Sequence, residues 1–238
     1  MVIDTEGIAE KDEPVEVVGS EFLAPHYGVS GFYAISKGNM KTIPSNLFDV
    51  MPDLQYFYAH DVNLEEMPTD SFKTCSQLKQ IGLQKNEIKE LGDEFAKSCS
   101  QVYTLDLSYN KIKGINSNSF KGLTNLSVLN LDFNFIETVD ENSFELLQSL
   151  TLLTLNMNQI TYVHPNAFHH LPSLNSLVLS NNRIKVVKSG WFAEKNYFER
   201  LNLKNNEIEA IDPAIFETWL NSKLNVTEKL FQLNVEGN

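Results

Sequence analysis

Cysteine is nearly missing from this chain: Cys75 and Cys99 are the two copies in 238 residues. The C-x-x-C and C…H spacings of zinc and redox sites are therefore absent. Histidine is almost as sparse. His26, His60, His164, His169 and His170 fall into no H-E-x-x-H or related spacing, so they supply no metal ligand set and read as surface residues. Basic residues are outnumbered, 19 Lys and Arg against 31 Asp and Glu, for a formal net charge of −12. Such a chain repels phosphate backbones, which argues against nucleic acid as a partner. No apolar run approaches the ~18 residues needed to cross a bilayer, so no membrane-spanning segment is expected. Met1 to Glu21 is acidic and lacks an apolar stretch, so no signal peptide is visible there. The motifs G-x-x-x-x-G-K-[ST], G-x-G-x-x-G and G-x-S-x-G are missing too. The expectation is a chain that is not an enzyme, with no catalytic residue, no cofactor and no metal.

What the sequence does have is a rhythm of 24. Val102, Leu105, Leu107, Asn110, Ile112, Ile115, Phe120 and Leu123 are followed by Leu126, Leu129, Leu131, Asn134, Ile136, Val139, Phe144 and Leu147. The next copy is Leu150, Leu153, Leu155, Asn158, Ile160, Val163, Phe168 and Leu171. Eight specified positions recurring three times without a gap define an internal repeat. The frame extends forward through copies opened by Leu174 and Phe198, and backward through copies opened by Leu78, Leu54 and, most weakly, Ser30. In the Leu78 copy the Phe is one place early, at Phe95, and in the Leu54 copy Val62 replaces the Asn. After Asn221 the frame slips by an apparent insertion, residues 222–229, before Leu230, Leu233, Val235 and Asn238 begin a ninth copy. The domain reading is an acidic segment, 1–29, then a repeat domain, 30–238, of about eight full repeats.

Each position has a physical task. The L-x-L alternation is a short strand with its Leu side chains inward. Strands of successive repeats should lie side by side and parallel, about 4.8 Å apart. The Asn ends the strand; its amide both donates and accepts, so it can satisfy backbone groups opened by the turn. Among the fifteen Phe, the column Phe48, Phe72, Phe120, Phe144, Phe168, Phe192 and Phe216 should stack along the opposite side. One repeat cannot bury its apolar side alone; stacking does that.

These residues closely resemble the leucine-rich repeat family, in its 24-residue subclass found mostly in extracellular proteins such as Toll-like receptors, slit-like guidance proteins and secreted insect immune proteins. The resemblance covers about Ser30 to Asn238. It implies an α/β solenoid: a horseshoe with a parallel sheet on the concave side and irregular or short helical segments on the convex side. It also implies non-enzymatic binding of a protein, glycan or lipid. The cysteine-rich caps usual in extracellular members are missing. Val15, Val17, Val18, Phe22 and Leu23 could cover the first repeat instead, and the chain reads as a fragment of a longer protein. Ending on the consensus Asn would leave a strand edge unpaired.

The outward residues of the strands map the expected ligand face. Phe32, Tyr56 and Tyr58, with His60, form an aromatic cluster at one end. Tyr109, Phe133 and Met157 share one repeat position and should form a row along a rim of the sheet. Aromatic residues and Met are enriched at interfaces, although such side chains can also fold down and serve packing. Asp106 and Asp132 would suit a basic group, and Arg200 and Lys204 reverse the sign at the far end.

Cys75 and Cys99 are 24 apart, so they occupy one repeat position, about 5 Å from each other in neighbouring coils. Parallel side chains disfavour a bridge, so buried reduced thiols are expected, with a disulfide the alternative if the protein is exported. Two sequons, Asn125-Leu126-Ser127 and Asn225-Val226-Thr227, are candidate glycosylation sites, Asn225 the better placed. The functional expectation is a secreted or ectodomain recognition module, in innate immunity or cell-cell recognition. Its partner would be a protein ligand or co-receptor, which could be another leucine-rich repeat chain. The alternative is an intracellular, cytoplasmic scaffold or regulatory subunit for an enzyme.

Overall fold

An extended chain points successive side chains to opposite faces, so the L-x-L pattern buries one face of each strand and leaves the other open. The structure, a computed structural model, describes residues 30–35, 41–43, 46–67, 72–191, 199–215 and 232–238. Within them each coil contributes one strand to a nine-stranded parallel sheet. Its strands are β1 (Gly31–Ile35), β2 (Tyr56–His60), β3 (Gln80–Gly82), β4 (Thr104–Asp106), β5 (Val128–Asn130), β7 (Leu152–Thr154), β9 (Ser176–Val178), β11 (Arg200–Asn202) and β13 (Gln232–Asn234). On the other side of the coils, β6 (Thr138–Val139) pairs with β8 (Tyr162–Val163), and β10 (Val186–Val187) with β12 (Ala210–Ile211). Among the described residues helix is short: one α-turn, α1 (Leu47–Val50), one 3-10 turn, Ser189–Trp191, and the helical residues 214 and 215. The remaining described convex segments are mostly turns and irregular chain, as expected for this solenoid.

Leu105 stands opposite Leu129, and Leu129 opposite Leu153, in one parallel register. All three are fully buried, together with the second strand leucines Leu107, Leu131 and Leu155. The core is a single column of such layers running the length of the stack. At the last pairing, Leu201 stands opposite Leu233, eight residues more than the repeat step. Residues 222–229 themselves, like segment 1–29, lie outside the described residues.

The asparagines form a buried ladder. Asn134 accepts at Oδ1 from the Ile112 N–H of the preceding coil, at 3.0 Å. Its Nδ2 donates to Leu107 O at 3.0 Å, Leu131 O at 3.1 Å and Asp132 O at 3.3 Å. Asn110, Asn158 and Asn182 repeat this set. Each side chain thus closes its own turn and ties it to the coil before, which is the accounting that buried backbone groups require. Where Val62 replaces the Asn, Asn86 of the next coil accepts from both Val62 N–H and Leu64 N–H.

The aromatic column holds one ring that the sequence reading did not assign. Phe120, Phe144 and Phe168 stack nearly face to face, with centroids 5.9 and 6.3 Å apart. The next ring is Trp191, fully buried and edge-on to Phe168 at 6.0 Å. Phe192, assigned to that place from the sequence, lies outside the described residues, as does Phe216. The early Phe95 is fully buried against Phe72. The residue before it, Glu94, has φ of +58°, a left-handed turn that absorbs the one-residue advance. Ion pairs to Lys121 and Lys97 hold the Glu94 carboxyl down to about 2.

Two expectations are corrected. The first concerns Cys75 and Cys99, which are bonded to each other, their Cα atoms 5.0 Å apart. That separation is within the span of a disulfide, and a modest tilt of each side chain brings the sulfurs together; the expectation of reduced thiols assumed strictly parallel side chains. Closing a loop of 24 residues' separation is expected to stabilise the fold by about 3 kcal/mol. Urea unfolding of the native chain and of a Cys75→Ala/Cys99→Ala variant, each with and without reductant, measures it. A native midpoint unmoved by reductant would show that the bond contributes nothing.

The second correction concerns β1. Phe32 stands opposite the buried Phe57, and Tyr33 opposite Tyr58. The step from β1 to β2 is 25, not 24, and a one-residue slip exchanges inward and outward positions along a strand. Phe32 therefore shares its register position with Phe57 rather than with the outward Tyr56 or Tyr58, and Tyr33 shares its own with Tyr58.

Candidate functional site

Binding surface in a stacked solenoid comes from positions the core does not use. The residues flanking each buried strand Leu are half-buried along the sheet: Thr104 and Asp106, Val128 and Asn130, Leu152 and Thr154, Ser176 and Val178. They form a continuous floor in register.

At the N-terminal end, the floor carries Tyr56, Tyr58 and His60, all half-buried. The ring of Tyr58 lies over Gly82: a Cβ there would meet Tyr58 Cδ1 at 2.5 Å. Its hydroxyl donates to Gln80 Oε1, and Gln80 Nε2 donates to Tyr103 Oη at 2.6 Å. Tyr58 is therefore laid down on the sheet and tied into it. The Phe32 side chain lies outside the described residues.

At the middle of the sheet the chain leaves each strand through a residue in the left-handed region, just before the ladder Asn. Lys85, Tyr109, Phe133, Met157, Asn181 and Asn205 all occupy it, with φ between +54° and +58°. Asn tolerates this conformation; for other side chains it costs about 1–2 kcal/mol. Tyr109, Phe133 and Met157 hold it because the backbone is fixed on both sides: Tyr109 N–H donates to Asp132 O at 2.9 Å, and Phe133 N–H to Asn156 O at 2.9 Å. The expected row exists as geometry. Tyr109 and Phe133 stack at 4.1 Å with planes 9° apart. Tyr109 is 46% exposed and Met157 44% exposed, and Phe135, two residues beyond Phe133, is 41% exposed. The sequence reading missed Phe135, whose place directly after the ladder Asn was the available signal.

Beside the row lie the two aspartates. Asp106 accepts from Ser108 N–H at 2.9 Å, and Asp132 from Asn156 N–H at 2.8 Å. Burial pushes the Asp132 carboxyl above the ordinary carboxylate range, the neighbouring Asp106 adds to it, and the Asn156 and Thr154 hydrogen bonds oppose it. A raised carboxyl favours folding when protonated, so its cost is present at neutral pH and fades as pH falls into the carboxylate range. Asp132→Asn is thus expected to raise the melting temperature at neutral pH, with the gain closing on acidification. A gain that persists or grows in acid would contradict that assignment.

Beyond Asp132 the floor becomes an amide network. Asn156 Oδ1 accepts from Ser180 Oγ at 3.0 Å and Asn181 Nδ2 at 2.7 Å, and Asn205 Nδ2 donates to Asn181 Oδ1 at 2.8 Å. At the far end Arg200 is exposed, while Lys204 pairs with Glu236 at 2.9 Å. Asn125 is exposed and its sequon Ser127 shares a 2.8 Å hydroxyl contact with Thr151; Asn225 lies outside the described residues. Among the described residues no group of three metal-ligating side chains converges, and no helix is long and apolar enough to cross a membrane.

Comparison with known proteins follows the same lines. The leucine rich repeat family matches residues 76–134, 124–184 and 172–219, more than half of the chain. No curated protein matches the sequence. Among solved structures, the chain is similar to Toll in the Toll–Spätzle complex of Drosophila, at 25% identity and a TM-score of 0.69, over 75% of this chain and 25% of that one. It is similar to internalin C2 of Listeria monocytogenes, at 22% identity and a TM-score of 0.64, over 87% of this chain and 81% of that one. It is also similar to TLR13 in complex with ssRNA13, at 25% identity and a TM-score of 0.58, over 82% of this chain and 30% of that one. The chain thus spans a quarter of Toll and under a third of TLR13.

Proposed function

The chain belongs to the leucine-rich repeat family, and we propose that it is a non-enzymatic recognition module that holds a protein ligand on its concave sheet and the adjoining rim. The observation that carries this reading is the stacked pair of exposed Tyr109 and half-buried Phe133, with the exposed Met157 in the next coil. Backbone strain is kept there under large apolar side chains that fill no core. The same position takes Asn at Asn181 and Asn205, so the fold does not need those rings. Strained positions and exposed apolar rows concentrate where proteins bind.

The module acts outside the cell, as a secreted protein or part of a receptor ectodomain in immune or cell-cell recognition. The bonded cysteines support this compartment, since disulfides persist in oxidising surroundings. The similarity to Toll, which is bound to Spätzle in its complex, supports a protein ligand, and a co-receptor built of the same repeats fits the same surface. TLR13 is bound to ssRNA13 in its complex, but a net charge of −12 opposes a phosphate backbone here.

The test is a variant that the fold tolerates. Tyr109→Asn/Phe133→Asn/Met157→Asn installs the side chain best suited to this backbone and is expected to leave the melting temperature unchanged or higher. Screened against secreted proteins and ectodomains, the partner captured by the native chain should bind this variant more weakly by over ~2 kcal/mol. A partner held equally by both would remove the rim from the site.

A further inference from the structure

The rim joins an apolar row to two carboxylates, and this combination selects a particular visitor. Asp132 immediately precedes Phe133, and its carbonyl oxygen holds the Tyr109 N–H at 2.9 Å. Asp106 ends β4 in register with Asn130 of β5, two residues before Asp132, and adds to the raised carboxyl of Asp132. Each carboxylate accepts a backbone N–H from the sheet, Ser108 to Asp106 and Asn156 to Asp132, and Asp132 also accepts from the Thr154 and Asn156 side chains. A carboxylate has about four acceptor sites, so both retain open ones. Among the described residues no Lys or Arg forms an ion pair with either. Lys111 is taken by Glu87. Lys85, one coil earlier in the rim column, pairs with neither aspartate.

Several acidic groups elsewhere carry a counter-charge. Glu65 has Lys41 at 3.0 Å, and Glu94 has Lys97 and Lys121. The two convex hollows, one lined by Asp93, Glu94, Lys73 and Lys97 and the other by Glu65, Glu66, Glu90 and Lys89, contain their own counter-charges. The rim sets two like charges beside the exposed Tyr109 ring and the half-buried Phe133 stacked on it.

We propose that this rim docks an arginine side chain of the protein partner, its guanidinium on the Asp106 and Asp132 carboxylates and its aliphatic stem along the edges of Tyr109 and Phe133. The inference rests on the recognition reading above and narrows it. Arginine fits better than lysine on three counts. Its planar fork can donate to two carboxylates at once, it is more weakly hydrated, and it stacks on aromatic rings. A purely apolar side chain would cover the rings but bring the carboxylates no counter-charge.

The probe is the capped tripeptide acetyl-Gly-Arg-Gly-amide, titrated into the full 238-residue chain while backbone amide NMR shifts are followed. Its lysine and norleucine counterparts are run beside it. The expected result is saturable shifts centred on Tyr109, Asp132 and Phe133 with the arginine peptide, about fivefold weaker binding of lysine and none of norleucine. Asp106→Asn/Asp132→Asn should abolish the arginine response, and Glu65→Gln/Glu66→Gln should not change it. Shifts scattered over the acidic surface, or a response that survives the aspartate double variant, would overturn the proposal. Norleucine binding the row as well as arginine would also overturn it, yet leave the recognition reading standing. That reading falls only if the triple-Asn variant binds the native partner undiminished.

Discussion

Asn134→Ala is expected to lower stability by about 4 kcal/mol, close to 1 kcal/mol for each hydrogen bond its amide makes. The four bonds do not weigh equally. Leu107 O keeps Asn110 Nδ2, Leu131 O keeps Asn158 Nδ2 and Asp132 O keeps Tyr109 N–H. The Ile112 N–H has no such second partner in the ladder and is left buried and unpaired, which carries the heaviest penalty. Asn134→Asp should be no milder: it loses the donor and sets a charge against three carbonyl oxygens. Urea unfolding measures both variants. A loss under ~1 kcal/mol for either would mean that the ladder is not what ties the coils together.

Phe144→Ala is expected to cost about 3–5 kcal/mol. Phe144 is fully buried with Phe120 on one side and Phe168 on the other, so the void cannot be filled from the column without disturbing two more coils. In a stacked array each coil is stabilised mainly by its neighbours. The variant should therefore also broaden the unfolding transition, as the halves on either side uncouple. Calorimetry tests this: a single sharp transition with an enthalpy equal to the native one would show that the column is not continuous at Phe144.

How much of this could be read from the sequence depends on what fixed each feature. The alignment of Leu105, Leu129 and Leu153 was legible because an inward strand position tolerates little besides an aliphatic side chain, and the pattern repeats at one step. The Asn was legible for a similar reason: few other side chains could donate and accept in that turn. Where the step varies, the reading failed. The 25-residue offset of β1 was visible in the tripeptide Phe32-Tyr33-Ala34, which recurs as Phe57-Tyr58-Ala59, but a frame fixed at 24 passed over it. Trp191 escaped because a large ring one place early can fill the same space as a Phe. The disulfide turned on side-chain tilt, which no pattern of letters contains.

The rim was legible as a position and not as a conformation. Nothing in the identities of Tyr109, Phe133 or Met157 announces a left-handed backbone; Asn181 and Asn205 at the same step do. The conflict between the preferred residue and the one present is what distinguishes this stretch. The Tyr58 hydroxyl network through Gln80 to Tyr103 was illegible for another reason. It joins three coils through side chains whose spacing is not a multiple of the repeat.

The column of left-handed turns makes the scaffold tolerant of change in one direction. Asp61, Lys85, Tyr109, Phe133, Met157, Asn181 and Asn205 share a left-handed φ and between them carry five kinds of side chain. Each coil thus offers an interchangeable tooth, set about 4.8 Å from the next by strand spacing. A molecule lying along that comb meets acid, base, ring, thioether and amide in fixed order. Swapping a single tooth would retune what is gripped while the layers beneath stay as they are.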